Sequence, residues 1–262
     1  MRDCHEIQPD NEVEAWLRGF DLQEIDARDA RSMWALKYRG RLAAALEVLC
    51  SLPSGARVLE VGASQANASL LAAESGLMAV ALDRTTEPLR YAFRKHTHGD
   101  FAAVCADALE LPFAGETFDA VVATEILEHL PEPAAALVEI RRVLAPGALV
   151  IVTTPNARYF SEPLPSYANR PADAQALPEA DASGHLFAFT LEELGALLGE
   201  CGLQVQEARY EGSVLLSDKL PLKRLLSVKW IHRLSRLATR LPGGARLAYS
   251  CFAVGRRSMD SD

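Results

Sequence analysis

Residues 57–69, Arg-Val-Leu-Glu-Val-Gly-Ala-Ser-Gln-Ala-Asn-Ala-Ser, decide the fold of this chain. The apolar run from Val58 to Val61 ends at Gly62, small residues follow, and a helix-like segment begins at Ala68. This order is typical of a buried strand, a tight turn and a helix N-terminus. Such a turn directs backbone N–H groups and the positive end of a helix towards an anion or a polar ligand. Glu60 lies inside the predicted strand, where a carboxylate needs backbone N–H groups or a ligand cation as partner.

A second apolar run, residues 79–83, ends in Asp83, about 20 residues after the first strand, where nucleotide-binding α/β folds place an acceptor for ribose hydroxyls. Helix-like and apolar segments then alternate, which predicts a doubly wound parallel sheet of the α/β class. Ligands of such sheets bind outside the carboxyl ends of the strands. Thr190 and Glu193 form a capping-box pattern that predicts the start of a later helix. The further predicted strands are residues 101–105, 118–123, 147–153, 203–210 and 247–254.

The composition predicts one large domain, or one domain with a small appendage, and no disulfide framework. The chain has 262 residues, of which 49% are hydrophobic. An odd number of cysteines without a Cys-x-x-Cys pair favours a reducing compartment and argues against a zinc ribbon. Residues 1–14 are acidic and polar, unlike a signal peptide, and no apolar run approaches a bilayer span. We therefore expect a cytoplasmic protein. The five cysteines are Cys4, Cys50, Cys105, Cys201 and Cys251.

Charge is unevenly distributed along the chain. The formal net charge is −8, but residues 219–246 contain eight basic residues and no acidic one, which leaves 19 basic against 35 acidic residues elsewhere. This overall acidity disfavours nucleic acid as a general partner. The basic segment therefore needs a separate explanation.

Four further motifs complete a recognisable set. They are residues 105–113 (Cys-Ala-Asp-Ala-Leu-Glu-Leu-Pro-Phe), 118–122 (Phe-Asp-Ala-Val-Val), 125–130 (Glu-Ile-Leu-Glu-His-Leu) and 142–147 (Arg-Val-Leu-Ala-Pro-Gly). With the two strands above, these motifs resemble the class I S-adenosylmethionine-dependent methyltransferases, and the resemblance covers roughly residues 42–214. It implies a Rossmann-like sheet of seven mostly parallel strands with an antiparallel last strand, S-adenosylmethionine as cofactor, and an enzyme.

The resemblance assigns parts of the cofactor to particular residues. Glu60 would hold the methionine ammonium group, directly or through water, and Asp83 would accept both ribose hydroxyls. Asp107 would accept from the adenine amino group, and Thr124 would lie near the sulfonium. An arginine of the helix before the first strand, Arg41 or Arg39, would meet the methionine carboxylate or remain solvated. The remaining predicted cofactor residues are Gly62, Ala63, Ser64, Arg84, Ala106 and Ala108.

The first loop departs from the family pattern. The family has Gly-x-Gly-x-Gly, whereas Ser64 and Ala66 replace the second and third glycines here. Small residues leave room for a close backbone approach, but positive φ is less accessible to them. We expect a slightly altered turn that still binds the cofactor. A degenerate, non-catalytic binding protein is the alternative.

The candidate chemistry lies after the fourth predicted strand. Glu125, Glu128 and His129 occupy positions i, i+3 and i+4, which share one face if the segment is helical. With His185 they form a plausible set of ligands for a divalent cation such as Mg²⁺. The set resembles that of small-RNA 3′-terminal 2′-O-methyltransferases and of ubiquinone-pathway O-methyltransferases, which implies a metal that binds vicinal hydroxyls. A histidine released from such a metal is a candidate base, and the predicted catalytic residues are His129, His185 and Glu125. Alternatively, the glutamates cap backbone N–H groups and His185 is a hydrogen-bonded loop residue.

The expected function is therefore methyl transfer from S-adenosylmethionine to a hydroxyl of a saccharide, a quinol or a phenolic compound. An RNA acceptor predicts a basic substrate loop, but the loop at 155–186 has only Arg158 and Arg170. We expect three parts in the chain: an N-terminal helical arm or lid at 1–52, a cofactor-binding core at 53–216 and 247–262, and a basic helical insert at 217–246.

The insert has apolar residues at helical spacing, among them Trp230, Ile231, Leu234 and Leu237. Its basic residues fall largely elsewhere on the helix. Two interpretations stay open. The helix packs on the domain or in a homodimer with its basic face solvated, or it contacts an anionic membrane surface or a bulky anionic substrate.

Overall fold

A computed structural model describes residues 6–24, 33–171, 184–213 and 226–259. The predicted arm, substrate loop and insert each lie partly outside these ranges. The described residues form one seven-stranded sheet with the order β3-β2-β1-β4-β5-β7-β6. β7 runs antiparallel to β5 and β6, and the other described pairs are parallel. The strands are β1 (Arg57–Val61), β2 (Met78–Asp83), β3 (Asp100–Cys105), β4 (Phe118–Thr124), β5 (Leu144–Pro155), β6 (Leu203–Glu211) and β7 (Ser250–Arg257).

The fold class predicted from the sequence is confirmed: the sheet is mostly parallel and carries helices on both faces. β7 begins three residues later than predicted, because a 3₁₀ helix occupies Gly244–Leu247. The predicted capping box is present, with Thr190 and Glu193 each accepting from the other's backbone N–H. The helices are α1 (Glu12–Glu24), α2 (Met33–Leu49), α3 (Asn67–Glu74), α4 (Thr86–Lys95), α5 (Pro133–Val143), α6 (Leu191–Glu200) and α7 (Val228–Thr239).

Two apolar cores hold these layers together, one on each face of the sheet. Alternate residues of a strand point to opposite faces, so Leu59 and Val58 enter different cores. On the Leu59 face, α5 and α6 supply buried residues such as Leu137 and Leu197. On the Val58 face, α2 and α3 contribute mostly alanines, whose small side chains allow these helices to approach the sheet closely.

The first loop keeps a left-handed backbone without its second and third glycines. Ser64 has φ 44° and Ala66 has φ 55°, while Gly62 has φ 69°. Positive φ is therefore present at both positions, although their side chains make it less accessible than glycine would. A left-handed backbone costs a residue with a Cβ roughly 1–2 kcal/mol. The surrounding structure, including the backbone bond from Ala66 N–H to Ala63 O at 2.7 Å, compensates for this strain.

Among the described residues, no helix is both long enough and apolar enough to cross a membrane.

The strain at Ser64 makes Ser64→Gly a stabilising substitution. Glycine adopts positive φ freely but adds entropy to the unfolded chain, so we expect the free energy of unfolding to rise by about 0.5–1 kcal/mol. Urea denaturation measures this change. The control is Ala135→Gly in α5, where the backbone is helical and a loss of about 1 kcal/mol is expected. Equal losses in both variants would show that the left-handed backbone at Ser64 carries no strain.

Candidate active site

A cavity of about 760 Å³ opens at the carboxyl edge of β1, β2, β3 and β4. This edge is where open parallel sheets bind ligands, because the loops that follow the strands diverge there. The cavity is lined by residues that directly follow the four strands, and by three residues of α1. The former include Gly62, Ser64, Asp83, Arg84, Ala106, Asp107, Ala108 and Glu125, and the latter are Val13, Trp16 and Leu17.

Asp83 is held rigidly in the wall of this cavity. Its Oδ2 accepts a hydrogen bond from the Ser64 backbone N–H at 2.9 Å. Its Oδ1 accepts from the Thr85 backbone N–H at 3.0 Å and from the Thr85 hydroxyl at 2.7 Å. A carboxylate offers about four acceptor sites, so acceptor capacity remains after these three bonds. Asp83 can therefore receive the hydroxyls of a ligand that enters the cavity.

The predicted adenine residues line the same cavity further along the sheet edge. Ala106, Asp107 and Ala108 follow β3, and Leu82 and Ile126 supply apolar walls near them. One oxygen of Asp107 accepts from the Leu109 backbone N–H at 2.9 Å, which fixes the direction of the carboxylate. Apolar walls with one acceptor suit a planar ring that carries an amino group.

A smaller cavity of about 180 Å³ adjoins the large one and shares Gly62, Ser64 and Glu125 with it. The predicted methionine-end residues meet there. Of the two candidate arginines, Arg41 lines this cavity, whereas Arg39 lines neither of the two. The residues that line only the smaller cavity are Tyr38, Arg41, Leu42, Ala45, Glu60, Ala63, Gln65, Ala68 and Thr124.

Glu60 has the partner that its burial requires. Its Oε2 accepts from the Ser69 backbone N–H at 2.8 Å and from the Ser69 hydroxyl at 2.7 Å. Burial raises the pKa of this carboxyl, and the bonds to Ser69 oppose that rise. Glu60 thus joins β1 to the first turn of α3 while still lining the smaller cavity.

Gly62 is required at the junction of the two cavities for a steric reason. A Cβ at this position would lie 2.7 Å from Cδ1 of Ile126, and the backbone has φ 69°. Ile126 belongs to the segment after β4. The first loop and the segment after β4 therefore touch through a contact that only glycine permits.

Helix α1, which lies in the segment predicted to be a helical arm or lid, lines the outer side of the large cavity. Its position is held by a buried polar network. Lys95 Nζ lies 2.9 Å from Asp21 Oδ2, and both side chains are almost fully buried. Asn67 donates to Asp21 Oδ1 at 3.0 Å and to the Tyr38 hydroxyl at 2.8 Å. The network therefore joins α1, α2, α3 and α4, and no local sequence pattern indicates it.

The segment after β4 is not the helical face that the sequence predicts. Glu125 has φ 53°, and only residues Leu127–His129 form a short 3₁₀ helix. Glu125 does not belong to the group formed by the other candidate ligands, because its carboxylate is bound elsewhere. Its Oε2 accepts from Arg41 Nη1 at 2.8 Å, and its Oε1 accepts from the Thr153 hydroxyl at 3.0 Å.

These contacts determine the charge of Glu125. Burial alone would raise the pKa of its carboxyl, but the positive charges of Arg41 and Lys37 and the bond from Thr153 outweigh burial and lower the pKa. Lys37, which the sequence analysis missed, lies one helical turn before Arg41, and this spacing is the only signal that could have indicated it. Burial, followed by the charge of Arg41, lowers the pKa of Lys37.

Glu128, His129 and His185 do come together. One potential ligand atom from each lies within 4.8 Å of those of the other two, and Glu125 does not belong to this group. The rings of His129 and His185 have centroids 4.7 Å apart. His185 Nε2 lies 3.7 Å from Glu128 Oε1, and His129 Nδ1 lies 3.0 Å from the Gly184 carbonyl oxygen. The group adjoins the large cavity, because His129 also lines it.

Glu128 is the unusual member of this group. Its side chain is 0% exposed, and neither carboxylate oxygen has a well-aligned hydrogen-bond partner within the described structure. Burial, and then the charge of Glu125, raise the pKa of this carboxyl well above its usual range. Its own backbone N–H lowers the pKa only in part, so the alternative in which Glu128 caps backbone N–H groups has little support from these contacts. A buried carboxylate beside two imidazoles fits a cation, which would satisfy both oxygens.

Comparison with known proteins identifies the class. Residues 59–152 match the family model described as "Methyltransferase domain". Over 127 residues the chain is 37% identical to a demethylmenaquinone methyltransferase of Renibacterium salmoninarum, covering 44% of this chain and 53% of that protein. Over 122 residues it is 32% identical to a fatty-acid O-methyltransferase of Mycolicibacterium smegmatis, covering 46% of this chain and 43% of that protein. The chain thus spans about half the length of the curated relatives it matches.

Solved structures agree at the level of the fold. The 1,6-didemethyltoxoflavin-N1-methyltransferase of Burkholderia thailandensis has a TM-score of 0.54 at 17% identity, covering 98% of this chain and 92% of its own. The [4+2]-cyclase SpnF has a TM-score of 0.59 at 20% identity, covering 89% and 86%. Residues 59–152 thus match a methyltransferase domain, and together with the fold this confirms the resemblance to class I S-adenosylmethionine-dependent methyltransferases. The cyclase shows that this fold also occurs in proteins named for other reactions.

The geometry of Asp83 makes a sharp prediction about the cofactor. Asp83→Asn keeps the shape of the side chain but removes the charge and replaces one acceptor by a donor. A hydrogen bond to a charged group contributes about 1.5–3 kcal/mol, so the affinity for S-adenosylmethionine should fall about 10- to 150-fold. Titration calorimetry measures the loss. Asp100→Asn, an exposed change at the opposite end of β3, is the control and should bind normally. Unchanged affinity in a folded Asp83→Asn variant would place the ribose elsewhere.

Proposed function

We propose that this chain transfers a methyl group from S-adenosylmethionine to a hydroxyl oxygen of a small or medium-sized acceptor, with the help of a divalent cation. The observation that carries the proposal is the Glu128 carboxylate, fully buried beside two imidazoles at the end of the cavity. The cavity supplies space for a cofactor, and the cluster supplies a place where an acceptor hydroxyl would meet it.

The proposed ligands are Glu128, His129 and His185, three residues where the sequence predicted four. Glu125 is occupied by Arg41 and Thr153 and serves instead to orient Arg41 at the smaller cavity. One carboxylate and two imidazoles suit a borderline divalent ion, and three protein ligands leave coordination positions for acceptor oxygens. When bound, such an ion lowers the pKa of a hydroxyl that contacts it.

The other residues of the site would bind the cofactor and orient it towards the acceptor. The cofactor, when bound, supplies a methyl group on a positively charged sulfur. Arg41 and Glu60 at the smaller cavity would receive the two charged groups of its amino-acid end, while Asp83 and Asp107 in the larger cavity would receive its ribose and adenine. Thr124 lines the smaller cavity beside Glu125, close to where the two cavities join. A methyl-transfer site accelerates the reaction mainly by holding the acceptor oxygen in line with the methyl group.

The same site contains two candidates for the proton acceptor. His129 and His185 lie next to each other, and His129 reaches the large cavity. A hydroxyl must lose its proton as the new carbon–oxygen bond forms, and a neutral imidazole within hydrogen-bond reach can take it. We propose that one of these two histidines would take this proton.

The acceptor class is part of the proposal. A quinol, a phenolic compound or a saccharide diol presents neighbouring hydroxyls that suit a metal, and the curated relatives are named for a quinone and for a fatty acid. RNA is less favoured because the two arginines of the described substrate loop already have protein partners. Arg158 lies 3.3 Å from Glu192, and the Arg170 guanidinium lies 3.6 Å from the Tyr167 ring centroid.

The direct test supplies methyl-tritiated S-adenosylmethionine with a panel of quinols, catechols, saccharides and short RNAs. We expect label in an oxygen-linked methyl group of a diol or quinol, and loss of activity with a chelator that Mg²⁺ or Mn²⁺ restores. His185→Ala should lower turnover about 100-fold while changing cofactor affinity little, because it removes a metal ligand and a candidate base. His98→Ala, an exposed histidine away from the cluster, is the control.

Each other outcome of this assay has a defined meaning. Full activity after exhaustive chelation would remove the metal from the proposal. Label on carbon or nitrogen would remove the hydroxyl acceptor. Tight cofactor binding without transfer to any acceptor of the panel would favour a non-catalytic binding protein.

A separate measurement tests the ion without requiring turnover. In the ion-free protein the Glu128 carboxyl is buried without compensation, so Glu128→Gln should leave the melting temperature equal or higher. Adding Mn²⁺ should raise the melting temperature of the unmodified protein, because ligands that bind only the folded state stabilise it. The variant should lose this ion-dependent rise. An equal rise in Glu128→Gln and in the unmodified protein would show that the ion binds elsewhere.

A further inference from the structure

Helix α7 packs on the domain with an unusually polar inner face. Its buried residues are Ile231, Ser235 and Thr239, at 2%, 1% and 8% exposure. Ile231 belongs to a small apolar cluster with Leu36 and Tyr249, which anchors α7 to α2 and to the residue before β7. Two of the three buried positions are therefore hydroxyl side chains, so most of the apolar content of α7 is not used for packing.

Most large apolar residues of α7 instead face outwards. Trp230, Leu234 and Leu237 are 54%, 37% and 57% exposed, and Leu241, two residues past the end of the helix, is 60% exposed. The first three recur every three or four residues, so at 3.6 residues per turn they fall within about 60° of one another around the helix. We call these four residues the α7 stripe. A continuous exposed stripe of large apolar side chains indicates a contact surface, because single exposed residues need no such alignment.

Positive charge borders the α7 stripe on one side. Arg233 and Arg240 project from α7 and its C-terminal end beside the stripe, and the Arg233 guanidinium lies 5.3 Å from the ring centroid of Trp230. Arg236, on the same helix, is paired with Glu47 and Glu211, whereas Arg233 and Arg240 are exposed. The two exposed arginines suit the surface beside the stripe to an anionic partner.

We infer that α7 is an interfacial helix that docks the protein on an anionic lipid surface. A helix with tryptophan and leucine on one face, and lysine or arginine beside them, lies in the plane of a bilayer with its apolar face among the acyl chains. The arginines then meet lipid phosphates, while the buried residues keep the helix attached to the domain. Charge complementarity favours this partner over a second copy of the chain, since two basic α7 surfaces would repel each other.

Docking through α7 would also orient the cavity. Leu36 contacts the α7 cluster, whereas Arg41, on the same helix α2, lines the smaller cavity. Helix α2 therefore lies between the α7 stripe and the site. The inference itself concerns only the surface, and it stands or falls independently of the methyl-transfer reaction.

The test is sedimentation of the full-length protein with vesicles of phosphatidylcholine alone, or of phosphatidylcholine mixed with phosphatidylglycerol. We expect binding to the anionic vesicles, little binding to the neutral ones, and release as salt rises. Leu234→Ser combined with Leu237→Ser should weaken binding about 10-fold or more, because two apolar side chains no longer enter the bilayer. Val138→Ser in α5, which is 54% exposed, is the matched apolar control and should bind normally.

Charge-reversal variants distinguish the contribution of the arginines from that of the apolar stripe. Arg233→Glu combined with Arg240→Glu should abolish the preference for anionic vesicles, whereas Arg90→Glu, an exposed arginine of α4, should not. Absence of binding of the unmodified protein to anionic vesicles would overturn the inference. So would unchanged binding of the double serine variant. Light scattering that shows a dimer dissociated by the serine substitutions, without any vesicle binding, would assign the stripe to a homodimer contact instead.

Discussion

The strand order reverses between β1 and β4, and every feature of the site depends on this reversal. The chain passes to β2 on one side of β1 and returns to β4 on the other, so the loops after β1 and β4 separate and leave a crevice. Gly62 and Ile126, one from each loop, touch at its base. The large cavity, the smaller cavity and the Glu128 cluster all extend from this point.

Two glutamates from the same short segment have opposite environments. Glu125 is half-buried and lies beside Arg41, Lys37 and Thr153, so its pKa is lowered and its charge is stabilised. Glu128 is fully buried and lies near the charge of Glu125, so its pKa is raised. The left-handed backbone at Glu125 creates this difference, because it turns one carboxylate towards α2 and leaves the other beside the histidines. One turn thereby provides both an ion pair that orients Arg41 and a carboxylate that fits a cation.

Local sequence patterns were sufficient to predict the order of the helices and strands and many of the residues that line the cavity. Strand periodicity, the Gly62 turn, the acid at the end of β2 and the capping box of α6 are all properties of neighbouring residues. Contacts between distant elements were not predictable in this way. The Asp21–Lys95–Asn67 network, which holds α1 over the cavity, joins residues that are far apart along the chain, and no spacing rule connects them.

The sequence by itself determined the class of fold and the edge of the sheet where the site lies, because these follow from the period and spacing of short segments. His185 was grouped with Glu128 and His129 only through a family resemblance, since it is distant from them along the chain. Only the tertiary structure decided which carboxylate is ion-paired, since the partner Arg41 lies 84 residues from Glu125. It also decided which face of α7 points outwards. Helical spacing shows that a helix has an apolar side, but whether that side is buried depends on which surface of the domain the helix meets.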